Sequence, residues 1–471
     1  MTITTRFAPA PTGRLHVGNI RTALHNYLLA KQHGGRFLLR IDDTDAARSE
    51  ERHVAAIRED LAWLGLHPDG DARQSERLDL YERAFAMLRD AGRIYPAYET
   101  AQELDLKRKV LLGRGLPPIY DRAALALSDA ERAEKKAAGI APHWRFKLDH
   151  DEQIAWDDGI RGPQHFDPAQ LSDPVIRRAD GSWLYMLPSA VDDIDMGVTH
   201  VLRGEDHVSN TALQIQMFTA LFAAGFGAAK TLPQFAHEAL LIGAEGKLSK
   251  RLGSLGVDEL RASGFEPMAL NSLLARLGTS QPVEPQPDMA ALAAGFDLAR
   301  FGRAPARFDE TELARVNAAL LHETAFAVVA DRLPAGMDEA GWHAIRPNLA
   351  TLDQAMEWWQ VVTGPPAPRD FAEEDRAFLA MAAEVLTWSD DPWHGLTAAL
   401  KDATGRKGKA LFLPLRQALT GRDHGPDMAE LLPLIGEEEA RARLRRAPGA
   451  WPAGTARPCC VVRVNSKEKP A

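Results

Sequence analysis

Residues 6–19 read RFAPAPTGRLHVGN and connect a short strand to a helix through a tight turn. Residues 3–7 have the character of a β-strand, and Ile20, Ala23 and Leu24 begin the 3.6-residue spacing of a helix. The N-terminus of a helix presents unpaired N–H groups and partial positive charge, which suit a phosphate. The stretch therefore predicts a strand, a turn and a helix whose entrance can bind an anion.

The residues that follow repeat the pattern of strand and helix. Residues 37–41 form an apolar run interrupted only by Arg40, as in buried parallel strands, and Val54, Ile57 and Leu61 mark a second helix. Alternating strands and helices of this size predict a parallel sheet with right-handed crossovers. The expected fold class is α/β, with a doubly wound, Rossmann-type domain, an inserted α+β domain and a C-terminal all-α domain.

A second motif lies far downstream, where residues 247–251 read KLSKR between Gly246 and Gly253. The ammonium groups of Lys247 and Lys250 can stabilise charge on a pyrophosphate leaving group, and flanking glycines suit a loop that closes over a substrate. Either motif alone is more often a plain connection or a solvated basic turn. Their order, at the two ends of one α/β region, favours attack on the α-phosphate of ATP.

The chain as a whole has the composition of a globular protein of several domains. It has 471 residues, of which 45% are hydrophobic and 26% are charged. No apolar run approaches the ~20 residues that span a bilayer, so we expect no membrane association. The adjacent Cys459 and Cys460 exclude a disulfide framework and indicate a cytoplasmic protein. The net charge of -9 argues only weakly against a nucleic-acid partner, because a local basic face suffices.

Composition shifts along the chain predict five segments. The pattern loosens after residue 95, where a charged helix is expected over residues 123–138, and the chain becomes almost wholly helical after Arg251. The predicted segments are the first half of a nucleotide-binding domain (1–95), an inserted domain (96–180), the second half of the nucleotide-binding domain (181–240), a region with the lysine motif (241–305) and a helical domain (306–471).

Several longer motifs occur in a characteristic order. RFAPAPTGRLHVGNIRTAL is followed by LRIDDTD, RRADGSWLY, VDDIDMGVTHVLRGEDH and KLSKR, and this series resembles the class I aminoacyl-tRNA synthetases, in particular bacterial glutamyl-tRNA synthetases. The resemblance continues to about Gly421 through a segment similar to the anticodon-binding region. It implies L-glutamate, ATP with Mg²⁺ and tRNA(Glu) as ligands, leaves tRNA(Gln) open, and favours a monomer. It also implies that the inserted domain holds the tRNA acceptor end, that residues 241–305 contact the tRNA stem and that the helical domain reads the anticodon.

The same resemblance assigns roles to individual residues. The family's HIGH-type and KMSKS-type motifs, taken as catalytic, correspond to His16, Gly18, Lys247 and Lys250. ATP binding is implied for these four and for Asp206, His207, Leu248, Ser249 and Arg251. Glutamate binding is implied for Arg6, Ala8, Ala10, Asp42, Tyr185, Ser189 and Arg203.

The chain departs from the family pattern at three places. Ala10 replaces a small hydroxyl residue and Ser189 replaces an asparagine seen in some relatives. Residues 95–100 contain no cysteine where some relatives hold zinc, so we predict no zinc and no other resident metal. A purely structural alternative also stays open, in which Arg6 and Arg203 pair with Asp42, Asp43 or Asp45.

Three other functions are compatible with parts of the sequence. A glutamyl-queuosine-type relative would share the catalytic half, but the long helical region after Arg300 argues against it. A small-molecule adenylating enzyme of the same superfamily would use similar motifs without tRNA, and a non-catalytic tRNA-binding protein would not need the two motifs. Clusters such as residues 406–409 and 441–446 are candidate basic surfaces for RNA, although charge runs are usually solvated faces.

Overall fold

The computed structural model describes residues 2–45, 47–243 and 256–446, together with the backbone of Gly246 and Lys247. The predictions for Leu248, Ser249, Lys250, Arg251 and the Lys247 side chain therefore lie outside the described residues. The chain divides into two compact units, with the boundary between Leu320 and Leu321.

The secondary structure alternates in the first unit and is helical in the second. The strands are β1 (Thr4–Phe7), β2 (Arg36–Ile41), β3 (Gly70–Arg73), β4 (Ile94–Ala97), β5 (His143–Phe146), β6 (Ile154–Asp158), β7 (Gly162–Phe166), β8 (Val175–Arg177), β9 (His200–Gly204), β10 (Gln234–Glu238), β11 (Leu241–Gly243), β12 (Gly246–Lys247) and β13 (Ala306–Arg307). The α-helices are α1 (Val17–Gln32), α2 (Glu51–Trp63), α3 (Leu78–Asp90), α4 (Ala101–Gly113), α5 (Asp129–Ala137), α6 (Met186–Asp195), α7 (Val208–Ala223), α8 (Val257–Ala262), α9 (Pro267–Arg276), α10 (Met289–Ala294), α11 (Glu310–Glu323), α12 (Phe326–Val329), α13 (Glu339–Ile345), α14 (Gln354–Thr363), α15 (Glu373–Val385), α16 (Pro392–Thr404), α17 (Lys409–Thr420), α18 (Met428–Ile435) and α19 (Glu437–Arg446).

A parallel sheet positions the site in the first unit. Strand β2 pairs in parallel with β1 and with β3, and β9 pairs in parallel with β10. The carbonyl of Ile3 accepts from Arg36 of β2, whereas the carbonyl of Thr4 accepts from Thr199 beside β9. Since successive carbonyls of a strand point to opposite edges, the order across the sheet is β3-β2-β1-β9-β10. The prediction of a doubly wound, Rossmann-type fold is confirmed, and the order reverses direction between β1 and β9.

Helix α1 packs its apolar face on this sheet. Ile20, Leu24 and Leu28 recur at helical spacing and are fully buried, together with Phe37 of β2. Burial of each large aliphatic side chain stabilises the fold by roughly 1.5–3 kcal/mol. This packing fixes the N-terminus of α1 at the carboxyl edge of the sheet.

The inserted part of the first unit contains a small antiparallel sheet, β4-β5-β8, and a hairpin, β6-β7. The expectation of one helix over residues 123–138 was wrong, because the chain forms a single 3₁₀ turn (Ala123–Ala126) before α5 begins. The Ser128 hydroxyl accepts from the N–H of Glu131, and the Glu131 carboxylate accepts from the N–H of Ser128. This reciprocal cap starts a new helix where one continuous helix was expected.

The second unit packs its helices around its own apolar core. The guanidinium of Arg443 is buried there, 2% exposed, and donates to the carbonyls of Val361, Val362, Gly364 and Leu419. Arg443 is therefore a structural group. It is not part of the basic RNA-binding surface for which the sequence made residues 441–446 a candidate.

The length and apolar character of the described helices bear on whether they could cross a membrane. Within the described ranges, no single helix is long and apolar enough to cross one, and only the bent pair Glu310–Glu323 and Phe326–Arg332 meets the criteria of length and composition together.

Candidate active site

A cavity of about 830 Å³ opens at the carboxyl ends of β1, β9 and β10 and at the N-terminus of α1. In a doubly wound sheet, ligands bind where the strand order reverses, which is the position of this cavity. Most of the side chains predicted to bind ligands lie on its wall, namely Arg6, Ala8, Ala10, His16, Gly18, Asp42, Tyr185, Arg203, Asp206 and His207.

His16 is the N-cap of α1 and lies at the cavity wall. Its Nδ1 accepts from the N–H of Gly18 at 3.2 Å, and its own N–H donates to the side chain of Asn19. Burial lowers the pKa of His16, so the ring is neutral and carries its proton on Nε2, where it can donate to a phosphate oxygen. A Cβ on Gly18 would lie 3.0 Å from the His16 ring, which explains the glycine at this position.

The described residues on both sides of the lysine motif reach the same cavity. Gly256 forms an antiparallel bridge with His16, and Val257 donates its N–H to the carbonyl of Leu15 at 3.4 Å. On the other side, Leu241 and Ile242 line the cavity, and β11 pairs with β12. Described residues before the motif therefore line this cavity, and those after it pair with the chain at the N-terminus of α1.

Arg203 is 6% exposed and has no carboxylate partner among the residues that the structure describes. Its Nη1 donates to the Tyr185 hydroxyl at 2.7 Å, its Nη2 donates to Thr211 and Gln214, and its Nε lies 3.5 Å from His237. A guanidinium has five N–H donors, so one N–H of Nη1 is left without a protein acceptor in the described part of the chain. Burial lowers the pKa of Arg203, and an anionic ligand in the cavity would compensate for that burial.

Arg6 is also buried, but a carboxylate holds one edge of its guanidinium. Its Nε donates to Asp193 at 3.1 Å, and Asp193 also accepts from Arg40 at 2.7 Å. Asp42 in turn is gripped by Arg40 through both carboxylate oxygens, at 2.7 and 3.2 Å. The structural alternative is therefore wrong about the partners of Arg6 and Arg203, because neither forms an ion pair with Asp42, Asp43 or Asp45 in the described residues.

Asp42 remains on the cavity wall although it is paired. Burial raises the pKa of Asp42 to about 6, against the opposing effect of Arg40. The carboxylate is thus charged at neutral pH and can attract an ammonium group. Ser189 lies behind this wall, is fully buried, and accepts from Arg40 at 3.3 Å. Contact between Ser189 and a substrate stays a prediction.

Asp206 and His207 follow β9 at the entrance of the cavity. The Asp206 side chain is 64% exposed, whereas the His207 ring lies 5.7 Å from that of Tyr185, with the two ring planes tilted by 47°. Burial lowers the pKa of His207 to about 4, and the neighbouring Arg203 adds to this effect. His207 is therefore neutral and can pack against a base or ribose without adding charge.

Sequence reasoning missed a buried group on the opposite wall. Glu238, at the end of β10, accepts from Arg21 at 3.3 Å and pairs with His25. Burial would raise the pKa of Glu238, but His25 and Arg21 lower it to about 2. Arg21 and His25 are spaced i, i+4 on α1, which was the available signal, although only the fold shows that Glu238 meets them.

Comparison with protein families agrees with this geometry. Residues 2–314 match the family model described as tRNA synthetases class I (E and Q), catalytic domain, and residues 343–448 match the anticodon binding domain. The fold and the site thus define a class I aminoacyl-tRNA synthetase, which is a ligase.

Individual relatives narrow this class. The chain is 75% identical to "Glutamate--tRNA ligase 2" of Erythrobacter litoralis, over 94% of this chain and 98% of the relative, and 70% identical to "Glutamate--tRNA ligase 1" of Novosphingobium aromaticivorans, over 94% and 100%. Among solved structures, a glutamate tRNA ligase from Elizabethkingia meningosepticum in complex with its amino acid matches with a TM-score of 0.81 and 28% identity, over 95% of this chain and 99% of that chain. The chain belongs to the glutamate–tRNA ligase family.

Proposed function

We propose that this protein activates L-glutamate with ATP and transfers it to the 3′ end of tRNA(Glu). The observation that carries the proposal is the guanidinium of Arg203, which is buried at the cavity wall with an N–H left over and no carboxylate partner in the described residues. A carboxylate-bearing substrate supplies the missing charge and accepts that N–H.

The cavity offers complementary groups for both ends of glutamate. Arg203 and Arg6 present positive charge from adjacent strands β9 and β1, and Asp42 presents negative charge to the substrate ammonium. The methyl groups of Ala8 and Ala10 leave space beside them. Glutamine, which is neutral where glutamate is charged, would leave the Arg203 guanidinium without a counterion, and this difference provides the selection.

ATP is proposed to bind at the entrance of α1. The Nε2–H of His16 and the N-terminus of α1 would contact the phosphates, and the open backbone at Gly18 and the side chains of Asp206 and His207 would contact the adenosine. Lys247, Leu248, Ser249, Lys250 and Arg251 would approach the triphosphate from the other side. We expect Mg²⁺ to arrive with ATP, and we keep the prediction that the protein holds no zinc.

The reaction then has two balanced steps. The α-carboxylate oxygen of glutamate attacks the α-phosphorus of ATP, and pyrophosphate leaves to give glutamyl-adenylate. A hydroxyl of the terminal adenosine of tRNA next attacks the acyl carbon and releases AMP. No side chain acts as a nucleophile, so catalysis comes from positioning and from charge placed near the leaving group.

The second unit supports tRNA as the acceptor. Residues 343–448 match an anticodon binding domain. Neither a glutamyl-queuosine-type relative nor a small-molecule adenylating enzyme would need such a domain. We further propose that the protein acts as a monomer in the cytoplasm.

An aminoacylation assay with purified tRNA tests the proposal. We expect glutamate-dependent formation of glutamyl-tRNA(Glu), and a parallel reaction with tRNA(Gln) shows whether that tRNA is also charged. Glutamate- and tRNA-dependent ATP–pyrophosphate exchange should accompany it. Absence of both activities with tRNA(Glu) would contradict the proposed function. ATP–pyrophosphate exchange with no charging of any tRNA would favour a small-molecule enzyme.

The role of the lysine motif has its own test. Lys250→Ala should reduce the rate of adenylate formation by about 10²-fold or more while changing glutamate affinity little, because its charge acts in the transition state. Equal losses in both quantities would contradict this role for Lys250.

A further inference from the structure

A chain of buried side chains connects Arg203 to a carboxylate that it does not touch. Nη2 of Arg203 donates to the Thr211 hydroxyl, Thr211 lies 2.8 Å from Nε2 of His237, and Nδ1 of His237 bonds the carboxylate of Asp158. Arg203 also approaches His237 directly, with its Nε 3.5 Å from the same Nε2. Thr211, His237 and Asp158 are all buried.

The direction of each hydrogen bond follows from the Asp158 end. The Asp158 carboxylate accepts the N–H groups of Ile160, Arg161 and His237, and although burial opposes it, the hydrogen bond from His237 lowers its pKa to about 2. An ionised carboxylate only accepts, so Nδ1 of His237 carries the proton. Burial lowers the pKa of His237, so the ring is neutral and its Nε2 is an acceptor. That nitrogen, at 2.8 Å, is the nearer acceptor for the Thr211 hydroxyl proton, and the His207 carbonyl at 3.3 Å is the other. In either case the Thr211 oxygen can accept from Arg203.

We propose that Asp158, His237 and Thr211 are positioning residues for glutamate selection. They hold Nη2 of Arg203 through the Thr211 hydroxyl, keep an uncharged ring nitrogen facing its Nε, and place the Asp158 carboxylate two side chains away. The remaining N–H of Nη1 thereby stays directed at the substrate. A carboxylate directly on Arg203 would neutralise it and compete with glutamate, whereas an apolar wall would leave its donors unpaired.

Asp158 links the inserted hairpin to the central sheet. Asp158 ends β6, in the hairpin of the inserted segment, while His237 lies on β10 of the central sheet. The backbone of Gly159 donates to the carbonyl of Phe235 at 2.9 Å, and Arg161 pairs with Glu205, just after β9. The hairpin is thus bound to β10, which carries His237, and to Glu205, the residue that follows β9. These contacts hold Asp158 in place beside His237.

The inference rests on the proposed function and is tested with two amide variants of one residue. The His237→Gln amide reaches the position of Nε2 and can accept from Thr211 and Arg203, whereas the His237→Asn amide reaches only the position of Nδ1. With full-length protein and tRNA(Glu), we expect His237→Asn to raise the KM for glutamate at least tenfold in ATP–pyrophosphate exchange. For His237→Gln we expect a KM within about threefold of wild type. The KM for ATP should stay within twofold in both.

Asp158→Asn provides an independent variant, because its amide can donate to Nδ1 and force the proton onto Nε2, facing the donors of Arg203. We expect it to raise the KM for glutamate about tenfold in the wild-type background and less than twofold when added to His237→Gln, where the link to Asp158 is already broken. Thermal melting of each variant reports whether the first unit is folded.

Three outcomes would overturn the inference: equal effects of the two amides at position 237, equal changes in the KM values for ATP and glutamate, or additivity of Asp158→Asn with His237→Gln. A wild-type protein without glutamate-dependent exchange would instead contradict the proposed function itself. The two failures are therefore distinguishable in one set of assays.

Discussion

Two buried arginines, Arg203 in the first unit and Arg443 in the second, show how one side chain serves different purposes. Arg443 donates through all five of its N–H groups, four to backbone carbonyls and Nε to Glu439 at 3.0 Å. Arg203 is almost as buried, but it has neutral acceptors and one N–H without a protein acceptor in the described residues. Burial alone therefore does not mark a binding residue, whereas burial with an unfilled donor does.

The largest effect is expected from removing the Arg203 guanidinium in the first unit. Arg203→Ala should lower kcat/KM for glutamate about 10³-fold, about 4 kcal/mol, because the substrate carboxylate loses a desolvated charged partner. Some loss of stability is also expected, because Tyr185, Thr211 and Gln214 lose their donor, so the KM for glutamate and the melting temperature are read separately. Exchange kinetics and thermal melting of the same preparation check this, with Arg178→Ala, an exposed residue at the cavity rim, as the matched control. Near-normal kinetics in Arg203→Ala would place glutamate recognition elsewhere.

For Arg443 in the second unit, we expect a loss of stability with exchange activity retained. Arg443→Met should destabilise it by about 3 kcal/mol, because buried carbonyl groups lose their donors. Below the melting transition, glutamate-dependent exchange should be retained. Arg445→Met, which breaks only an exposed pair with Glu384, is the control and should cost less than about 0.5 kcal/mol. Chemical denaturation followed by circular dichroism measures both, and equal stability of the two variants would argue against the structural role of Arg443.

Through Asp42, we expect glutamate recognition to depend on pH. Its pKa is raised to about 6 by burial, so the carboxylate is charged above that pH and neutral below it. We expect the KM for glutamate to rise as pH falls through 6, because a protonated Asp42 no longer attracts the substrate ammonium. Asp42→Asn should raise the KM about thirtyfold at pH 7.5, roughly 2 kcal/mol, and remove this pH dependence. A pH profile of KM that is the same in the variant and in wild type would exclude Asp42 as its source.

The smallest expected effect comes from Tyr185, which occupies one of the two N–H groups on Nη1 of Arg203. Tyr185→Phe removes that acceptor and leaves the ring in place, so the guanidinium gains freedom without losing charge. The KM for glutamate should rise about fivefold, roughly 1 kcal/mol, with kcat nearly unchanged. Steady-state exchange at varied glutamate measures it. A loss as large as that of Arg203→Ala would mean that Tyr185 contacts the substrate more strongly than it contacts Arg203.

Much of the site was predictable because its residues lie in local motifs. Arg6 and Arg203 stand in β1 and β9 near their carboxyl ends, and His16 stands at a helix entrance, so local patterns bring them to one edge of a sheet. The helix start at Ser128 was missed although its signal is local, since a serine followed three residues later by Glu131 is the pattern of a capping box.

The remainder depends on contacts between distant parts of the chain. Asp158 meets His237 across 79 positions, and no periodicity relates a hairpin in the insertion to a strand of the central sheet. The burial of Arg443 could not be predicted from the sequence for a related reason. Its neighbours in sequence are charged, and only the packing of α19 decides which of the arginines faces inward.

The bridge between His16 and Gly256 has a consequence for how the protein can vary. It ties main chain to main chain at one end, while the pairing of Ile242 with Lys247 ties the other. Eight residues, 248–255, lie between the two pairings in the sequence, and a fully extended chain covers at most about 3.3–3.6 Å per residue. Shortening this span by a single residue should therefore impair turnover more than exchanging one of its uncharged side chains, because length sets where the ammonium groups can arrive.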